Sequence, residues 1–567
     1  MTEYSASLGR YQALVEAALA EMARDRIPAR IWDRDHTVWK PQPTEISNRL
    51  GWLDIAERMG SEVPCLRSLA EDARAAGYTH ALLLGMGGSS LAPEVFRKVF
   101  GVADGYLDLA VLDSTVPGAV LAQAEAHDPA RTLFIVSSKS GTTTESLSFF
   151  KFFYNRTAEA VGGDRAGEHF VAITDPASAL AEPAERCRFR AAYLADPNIG
   201  GRYSALSHFG LAPAALLGMD LPRLLARATE AARRCGPAVP PGENPGAWLG
   251  CILGELAKAG RDKATLVASP LLAPFGDWVE QLIAESTGKE GRGILPVVGE
   301  PLGPPNAYGD DRVFVYLRLH RDDTYDAEMA ALERSGQPVV RLGLHDAEDE
   351  VYDLGQQFFI WEMAIAVAGY RLGINPFDQP NVESAKARAR DMVAAYQKTG
   401  SLPSESPALS AGGISVYGDI SGRSPGEALN AFLAEAQPGA YVALQAYLQP
   451  TAETDAALLA LRTRLRDALR LAVTVGYGPR FLHSTGQLHK GDAGRGLFIQ
   501  FTADDPADAP IPDEAGKPAS SISFGVFKTA QALGDRQALL DAGRRVIRVD
   551  LGNDVGGGLR RLTQRSA

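Results

Sequence analysis

Residues 133–146, LFIVSSKSGTTTES, decide the reading of this chain. Leu133-Phe134-Ile135-Val136 is a short apolar run and reads as a buried strand. It gives way to seven hydroxyl side chains, one lysine and one glycine between Ser137 and Ser146. A helix is predicted to begin near Glu145. A strand that ends in small hydroxylated residues and then opens a helix suits an anion. Backbone N–H groups point outward at the helix start, hydroxyls donate, and Lys139 adds a point charge. The phosphate of a small metabolite fits that description. The other reading is a Ser/Thr-rich loop that merely caps a helix.

Outward from this stretch, strands and helices alternate. Apolar runs at 81–84, 109–112 and 170–173 flank 133–136, the first stopping at Gly85 and the last closed by Thr174-Asp175-Pro176. Helical segments between them predict a parallel, doubly wound sheet. Ligands in such folds bind beyond the carboxyl ends of the strands, where the 85–90 and 137–144 loops sit. Residues 1–78 read as an accessory helical segment, with helices over 11–24 and 44–59. Residues 79–240 form the first sheet domain. The proline-rich 235–245 stretch reads as a linker. Residues 246–567 read as one large second sheet domain with an inserted or appended part. Its strands are expected at 265–268, 313–319, 339–344, 413–417, 497–501 and 546–549, and its helices at 354–372 and 455–474.

The bulk numbers narrow the class. A chain of 567 residues exceeds one ordinary core. Hydrophobic content of 46% and charged content of 22% are those of a soluble globular protein. No apolar run approaches a membrane span, and the N-terminus carries no secretory pattern. Four scattered cysteines without ligand spacing point to a reducing cytoplasm. A net charge of -12 excludes nucleic-acid binding through the overall field, so positive charge for an anionic ligand must be local.

Further motifs carry chemistry. Gly85-Met86-Gly87-Gly88-Ser89-Ser90 follows the first strand and precedes a helix at 91–100. It lets backbone approach an anion, although Ser90 stands where a dinucleotide fingerprint needs glycine. Gly200-Gly201-Arg202-Tyr203-Ser204 sets an arginine beside two glycines, suited to a developing oxyanion or to a structural salt bridge. Glu285 lies in the last turn of a helix ending at Gly288. The helix dipole disfavours an ionised carboxylate there, which sharpens it as a general base. Residues 375–386, NPFDQPNVESAK, turn into a helix from which Gln379 and Lys386 can reach a ligand.

GMGGSS, SKSGTT, GGRYS, AESTGK and NPFDQPNVESAK, in that order over about 83–388, resemble the phosphoglucose isomerase family. The resemblance implies a pair of sugar-isomerase (SIS) domains. It implies interconversion of glucose 6-phosphate and fructose 6-phosphate through a cis-enediolate, without metal or organic cofactor. Gly88, Ser89, Ser138, Ser140, Thr142 and Thr143 would hold the substrate, chiefly its phosphate, with Lys139 in the same loop. Arg202 would stabilise the enediolate, and Glu285 would move the proton between C2 and C1. Gln379 and Lys386 would contact the sugar, Lys386 helping ring opening. Related readings are an isomerase of mannose 6-phosphate or an amino sugar phosphate, and a sugar-phosphate sensor without catalysis.

Two departures stand out. The family's ring-opening histidine is expected twenty to thirty residues after the base, and 299–309 contains none. Phe481-Leu482-His483-Ser484-Thr485-Gly486-Gln487, followed by Gly496-Leu497-Phe498, resembles an LHSxGQ…LF stretch of some bacterial family members. His483 is therefore assigned to ring opening, with His489 as the alternative. In the family that histidine usually comes from a neighbouring subunit, so a homodimer is the default, a need that weakens if His483 serves its own chain. The chain also continues about 180 residues past the lysine motif, like the isomerase half of transaldolase fusions. Residues 1–80 are too short for the transaldolase barrel.

Overall fold

The computed structural model describes residues 4–344 and 350–563. The first described element is β1 (Tyr4–Ser7). Five strands then run β2 (His80–Gly85), β3 (Asp108–Leu112), β4 (Thr132–Ser137), β5 (Phe170–Thr174) and β6 (Ala191–Leu194). They form a wholly parallel sheet of order β3-β2-β4-β5-β6. Leu83, Leu109 and Ile135 enter one core, while Leu82, Leu84, Phe134 and Val136 enter another. Successive side chains point to opposite faces, so an unbroken apolar run is what a strand covered on both faces requires.

A second sheet contains β7 (Lys263–Ala268), β8 (Leu295–Val297), β9 (Arg312–Leu319) and β10 (Val339–Leu344), in order β1-β10-β9-β7-β8. All its pairs are parallel except β1 with β10. The helix Leu354–Leu372 is buried along almost its whole length, and its Phe358, Ile360 and Ala364 share one core with strands of both sheets. The two sheets are therefore joined through apolar contact. The 235–245 stretch, expected as a linker, is a packed turn between helices Leu221–Arg234 and Pro245–Lys258. Cys235 is buried there, and Asn244 caps the second helix through Ala247 N.

The strands of 246–567, expected as one large second sheet domain with an inserted or appended part, divide between two large sheets and a short ribbon. After β10 come β11 (Leu409–Ala411), β12 (Ile414–Tyr417), β13 (Tyr441–Tyr447), β14 (Ala472–Tyr477) and β15 (Gly496–Thr502). A ribbon of β16 (Pro510–Ile511) and β17 (Ile522–Ser523) precedes β18 (Arg545–Asp550). These build a third sheet, β11-β12-β18-β15-β13-β14, with its own core around Leu444, Phe501 and Val549. Its four strands from β18 to β14 are parallel.

Three local expectations are corrected. Residues 4–7 are an edge strand, not part of a helical segment, because they pair with β10. The helix expected over 44–59 is broken into a turn and single turns at Gly51–Leu53, Ile55–Arg58 and Met59–Ser61. Gly51 N donates to Asn198 O, so tertiary pairing overrides helical spacing. The helix expected over 455–474 runs Ala452–Leu469, and Arg470 at φ +58° stops it. The following Ala472-Val473-Thr474-Val475 then enters β14 in keeping with its β-branched content.

Candidate active site

The carboxyl ends of β2 and β4 build one wall of a cleft of about 520 Å3. After β2 the chain makes a single turn at Gly87–Ser89, with Gly87 at φ +53°, a conformation that L side chains rarely adopt. Gly88 lies so close to Gly201 that a Cβ would stand 2.0 Å from its carbonyl oxygen. The two glycine loops thus meet backbone to backbone. After β4 the 138–143 loop folds on itself. Ser138 Oγ donates to Thr143 Oγ1 at 3.2 Å, and Ser140 Oγ and Thr142 Oγ1 lie 2.8 Å apart. The helix Thr144–Val161 starts at Thr143 without a side-chain cap bond, which leaves its first N–H groups for an anion.

Gly88, Ser89, Lys139, Ser140 and Thr143 line the cleft. Ser138 is buried beneath the loop, and Thr142 lines an adjoining chamber that shares Ser140, Thr143, Lys386 and His483. Lys139 is ion-paired with Asp175, on the loop after β5, so part of its charge is already answered. Arg49 also lines this end of the cleft and carried no motif in the sequence.

The opposite wall comes from the helix Phe275–Thr287 and the 375–386 turn. Arg202 is 2% exposed and held from four directions. Its Nε donates to Ser286 Oγ at 2.7 Å, Nη1 to Gln379 Oε1 at 3.0 Å, and Nη2 to the carbonyls of Pro376 at 2.7 Å and Asp378 at 3.0 Å. Glu285 Oε1 lies 3.7 Å from Arg202 Nη1, leaving the carboxylate beside a fixed cation without a close bond. Gln281, one helical turn earlier, donates to Glu285 Oε2 at 3.1 Å and to the His483 carbonyl at 2.7 Å. Lys289 is buried, and burial followed by the Arg202 charge lowers its ammonium to about 8. It bonds Asp378 Oδ1 at 2.7 Å and so braces the loop that holds Arg202. Gln379 and Lys386 both line the cleft.

The third sheet closes the cleft. After β14 the turn Arg480–His483 brings His483 Nε2 within 3.0 Å of Glu145 Oε1. Gln531 Nε2 donates to the same oxygen at 2.8 Å, and Thr115 Oγ1 donates to Gln531 Oε1 at 2.7 Å. Burial works to raise the Glu145 carboxyl, yet the His483 charge and hydrogen bond, with Lys386 behind them, hold it at about 2. His489 is placed differently. It is a core residue between Phe481 and Phe498, outside the cleft lining, and burial drives its imidazole well below the ordinary value.

The 138–143 loop, Arg202, Glu285, Gln379, Lys386 and His483 therefore converge, although Glu145 and His483 are 338 residues apart in sequence. Sequence reasoning missed Glu145, Gln281 and Lys289. Glu145 reads as an ordinary acidic residue in a first helical turn, and Gln281 was legible only as one turn before Glu285. Such a site offers an anion cradle, a carboxylate base beside a fixed guanidinium, and an imidazole–carboxylate pair. Among the described residues no three His, Cys, Asp or Glu side chains group as a metal site, and no helix is long and apolar enough to cross a membrane.

The phosphoglucose isomerase family model matches residues 67–291. A glucose-6-phosphate isomerase of Parabacteroides distasonis is 30% identical over 313 residues, 48% of this chain and 68% of that one. Its counterpart from Rubrobacter xylanophilus is 30% identical over 366 residues, 56% of this chain and 83% of that one. Among solved structures, a hypothetical protein from Thermus thermophilus superposes with a TM-score of 0.58 at 25% identity, over 68% of this chain and 99% of its own. A glucose-6-phosphate isomerase from Chlamydia trachomatis shares the fold, with a TM-score of 0.57 at 18% identity, over 70% of this chain and 89% of its own. His483 and all six strands of the third sheet lie beyond the segment that the family model matches.

Proposed function

The chain belongs to the phosphoglucose isomerase family and interconverts glucose 6-phosphate and fructose 6-phosphate, a step of glycolysis and gluconeogenesis; we propose that Glu285 is its base and His483 its ring-opening group. The observation that carries this reading is the convergence of Glu285, Arg202, Lys386 and His483 on the phosphate cradle in one cleft.

The 138–143 loop, Ser89 and the free helix start bind the phosphate and fix C6. His483 donates a proton to the ring oxygen as the O1 proton leaves, and the pyranose opens. Glu145 stays ionised at working pH, orients the imidazole and stabilises its charged form. Glu285 then removes the proton from C2. The released electron pair forms the C1–C2 double bond, and negative charge moves onto O1. Arg202, held in place before the reaction, stabilises that enediolate. Glu285 returns the proton to C1 while the O2 proton passes to O1, and C2 becomes the carbonyl of the ketose. Gln379 and Lys386 supply further polar contacts to the sugar.

His483 lines the same cleft as Glu285 and Arg202, so this chain can supply its own ring-opening group. A cytoplasmic location agrees with the substrate and with four unpaired cysteines. The test is conversion of fructose 6-phosphate to glucose 6-phosphate coupled to a dehydrogenase. Glu285→Gln keeps the shape and removes the base, and the rate is expected to fall by about 10²–10⁴. Activity that survived this substitution would sink the assignment.

A further inference from the structure

His483 reaches the cleft on a short turn of the third sheet that lies against the first two. Its side-chain contacts hold it there. The helix Phe275–Thr287 presents Asp277, Gln281 and Glu285 at i, i+4 and i+8, along one stripe. Gln281 takes the His483 carbonyl, and Glu280 accepts from Ser484 Oγ at 3.4 Å. Arg480 opens the turn and joins all three sheets' territory. Its Nε lies 2.9 Å from Asp113 Oδ2, just past the end of β3, and its Nη2 lies 3.8 Å from Asp277 Oδ2.

Charge makes this contact consequential. Asp113, Asp277, Glu94 and Glu280 all act on the one Arg480 guanidinium. Asp113 has its side chain 16% exposed. Without the guanidinium, that carboxylate would face Glu94 and Asp277 with Lys98 as the cation left to act on it. A partly buried carboxylate in that position pushes its neighbours apart or draws in water. The turn that carries His483 is one of the elements that such a displacement would shift.

We propose that Arg480, paired with Asp113, is a positioning residue for ring opening: it seats the 480–484 turn so that His483 meets Glu145 at the cleft. This rests on the assignment of His483 above. A structural bridge would support stability alone, whereas a positioning residue also affects one chemical step.

Anomer exchange separates the two. In a Glu285→Gln background, proton transfer between C2 and C1 is lost, while opening and reclosing of the ring still scrambles the anomers of glucose 6-phosphate. Exchange NMR reads that rate. Adding Arg480→Gln is expected to slow it about 10- to 100-fold, the order that a misplacement near 1 Å produces. Asp113→Asn is expected to slow it similarly, and the double variant to lose little more than either single one. In the otherwise unaltered enzyme, Arg480→Gln is expected to lower kcat and leave KM within about two-fold, because the phosphate cradle is untouched. If Arg480→Gln scrambles anomers at the parent rate while His483→Ala does not, the positioning role is overturned and the assignment of His483 stands. If His483→Ala also scrambles at the parent rate, that assignment itself falls. Should Arg480→Gln fail to fold, Asp113→Asn removes the same charge pair from the other side, and a parent rate of anomer exchange in that variant overturns the proposal.

Discussion

Replacing Gly88 by alanine asks how tightly the two glycine loops set Arg202. A Cβ at Gly88 would stand 2.0 Å from Gly201 O, 2.2 Å from Gly201 C and 2.9 Å from Arg202 N. All three neighbours are backbone, so none can rotate away. Cβ contacts below 3.0 Å are essentially never observed. The 2.0 Å contact must therefore open to 3.0 Å, a retreat of about 1 Å by the loop. Arg202 follows Gly201 directly and moves with it, while its guanidinium is tied to Ser286, Gln379, Pro376 and Asp378. Some of those bonds must lengthen. Misplacing by about 1 Å a group that answers developing charge costs on the order of 100-fold in rate. That corresponds to about 2.7 kcal/mol of barrier. In the coupled assay, Gly88→Ala is expected to lose about 100-fold in kcat and to keep its far-ultraviolet circular dichroism. A folded Gly88→Ala enzyme within about three-fold of the parent kcat would refute the argument that packing of these loops positions Arg202.

Three other perturbations test separate parts of the site. Glu145→Gln keeps the bond to Gln531 but removes the charge facing His483, and anomer exchange is expected to slow by about 10- to 100-fold. Since the Glu145 carboxyl sits at about 2, below its ordinary 4.5, its stabilisation is present above about pH 4.5 and is lost as pH falls toward 2. The urea midpoints of parent and Glu145→Gln should accordingly converge in acid, and a constant gap would contradict the pairing. Glu280 behaves oppositely, because burial, with Asp277 adding to it, pushes its carboxyl up to about 7. The folded chain then keeps a proton that the unfolded chain releases, so the resulting destabilisation is absent below about pH 4.5 and complete above about pH 7. Glu280→Gln should raise the thermal midpoint at about pH 8 and change it little at about pH 4.5; identical profiles would count against a buried proton there. Finally, if His483 serves its own chain, specific activity is expected to stay constant on dilution from micromolar to nanomolar, and a fall paralleling subunit dissociation would show that a second copy is required.

Much of the fold was open to the sequence because the signals are local. Strands β2, β4 and β5 were legible as apolar runs, since each is covered on both faces. The helix Leu354–Leu372 was legible from its predominantly apolar composition. The edge β1 was not: its YSAS sequence has no apolar run, so only pairing with β10 makes it a strand. The third sheet was hidden for another reason. Hydropathy marks which residues are buried but not which strands share a sheet, so β13 and β15 are neighbours through a crossover that no local pattern records.

The cleft divides along the same line. By itself the sequence determined the loop proposed to hold the phosphate, because glycines, hydroxyls and a helix start within a dozen residues dictate where N–H groups point. It also determined that a carboxylate lies one turn from a helix end and an arginine beside two glycines. The tertiary structure alone decided that His483 meets Glu145 at 3.0 Å across 338 residues, and that His489, six residues further on, is packed between aromatic rings. Both histidines stand in similar local sequence. What separates them is the docking of the third sheet on the other two, and docking depends on surfaces assembled from residues far apart along the chain.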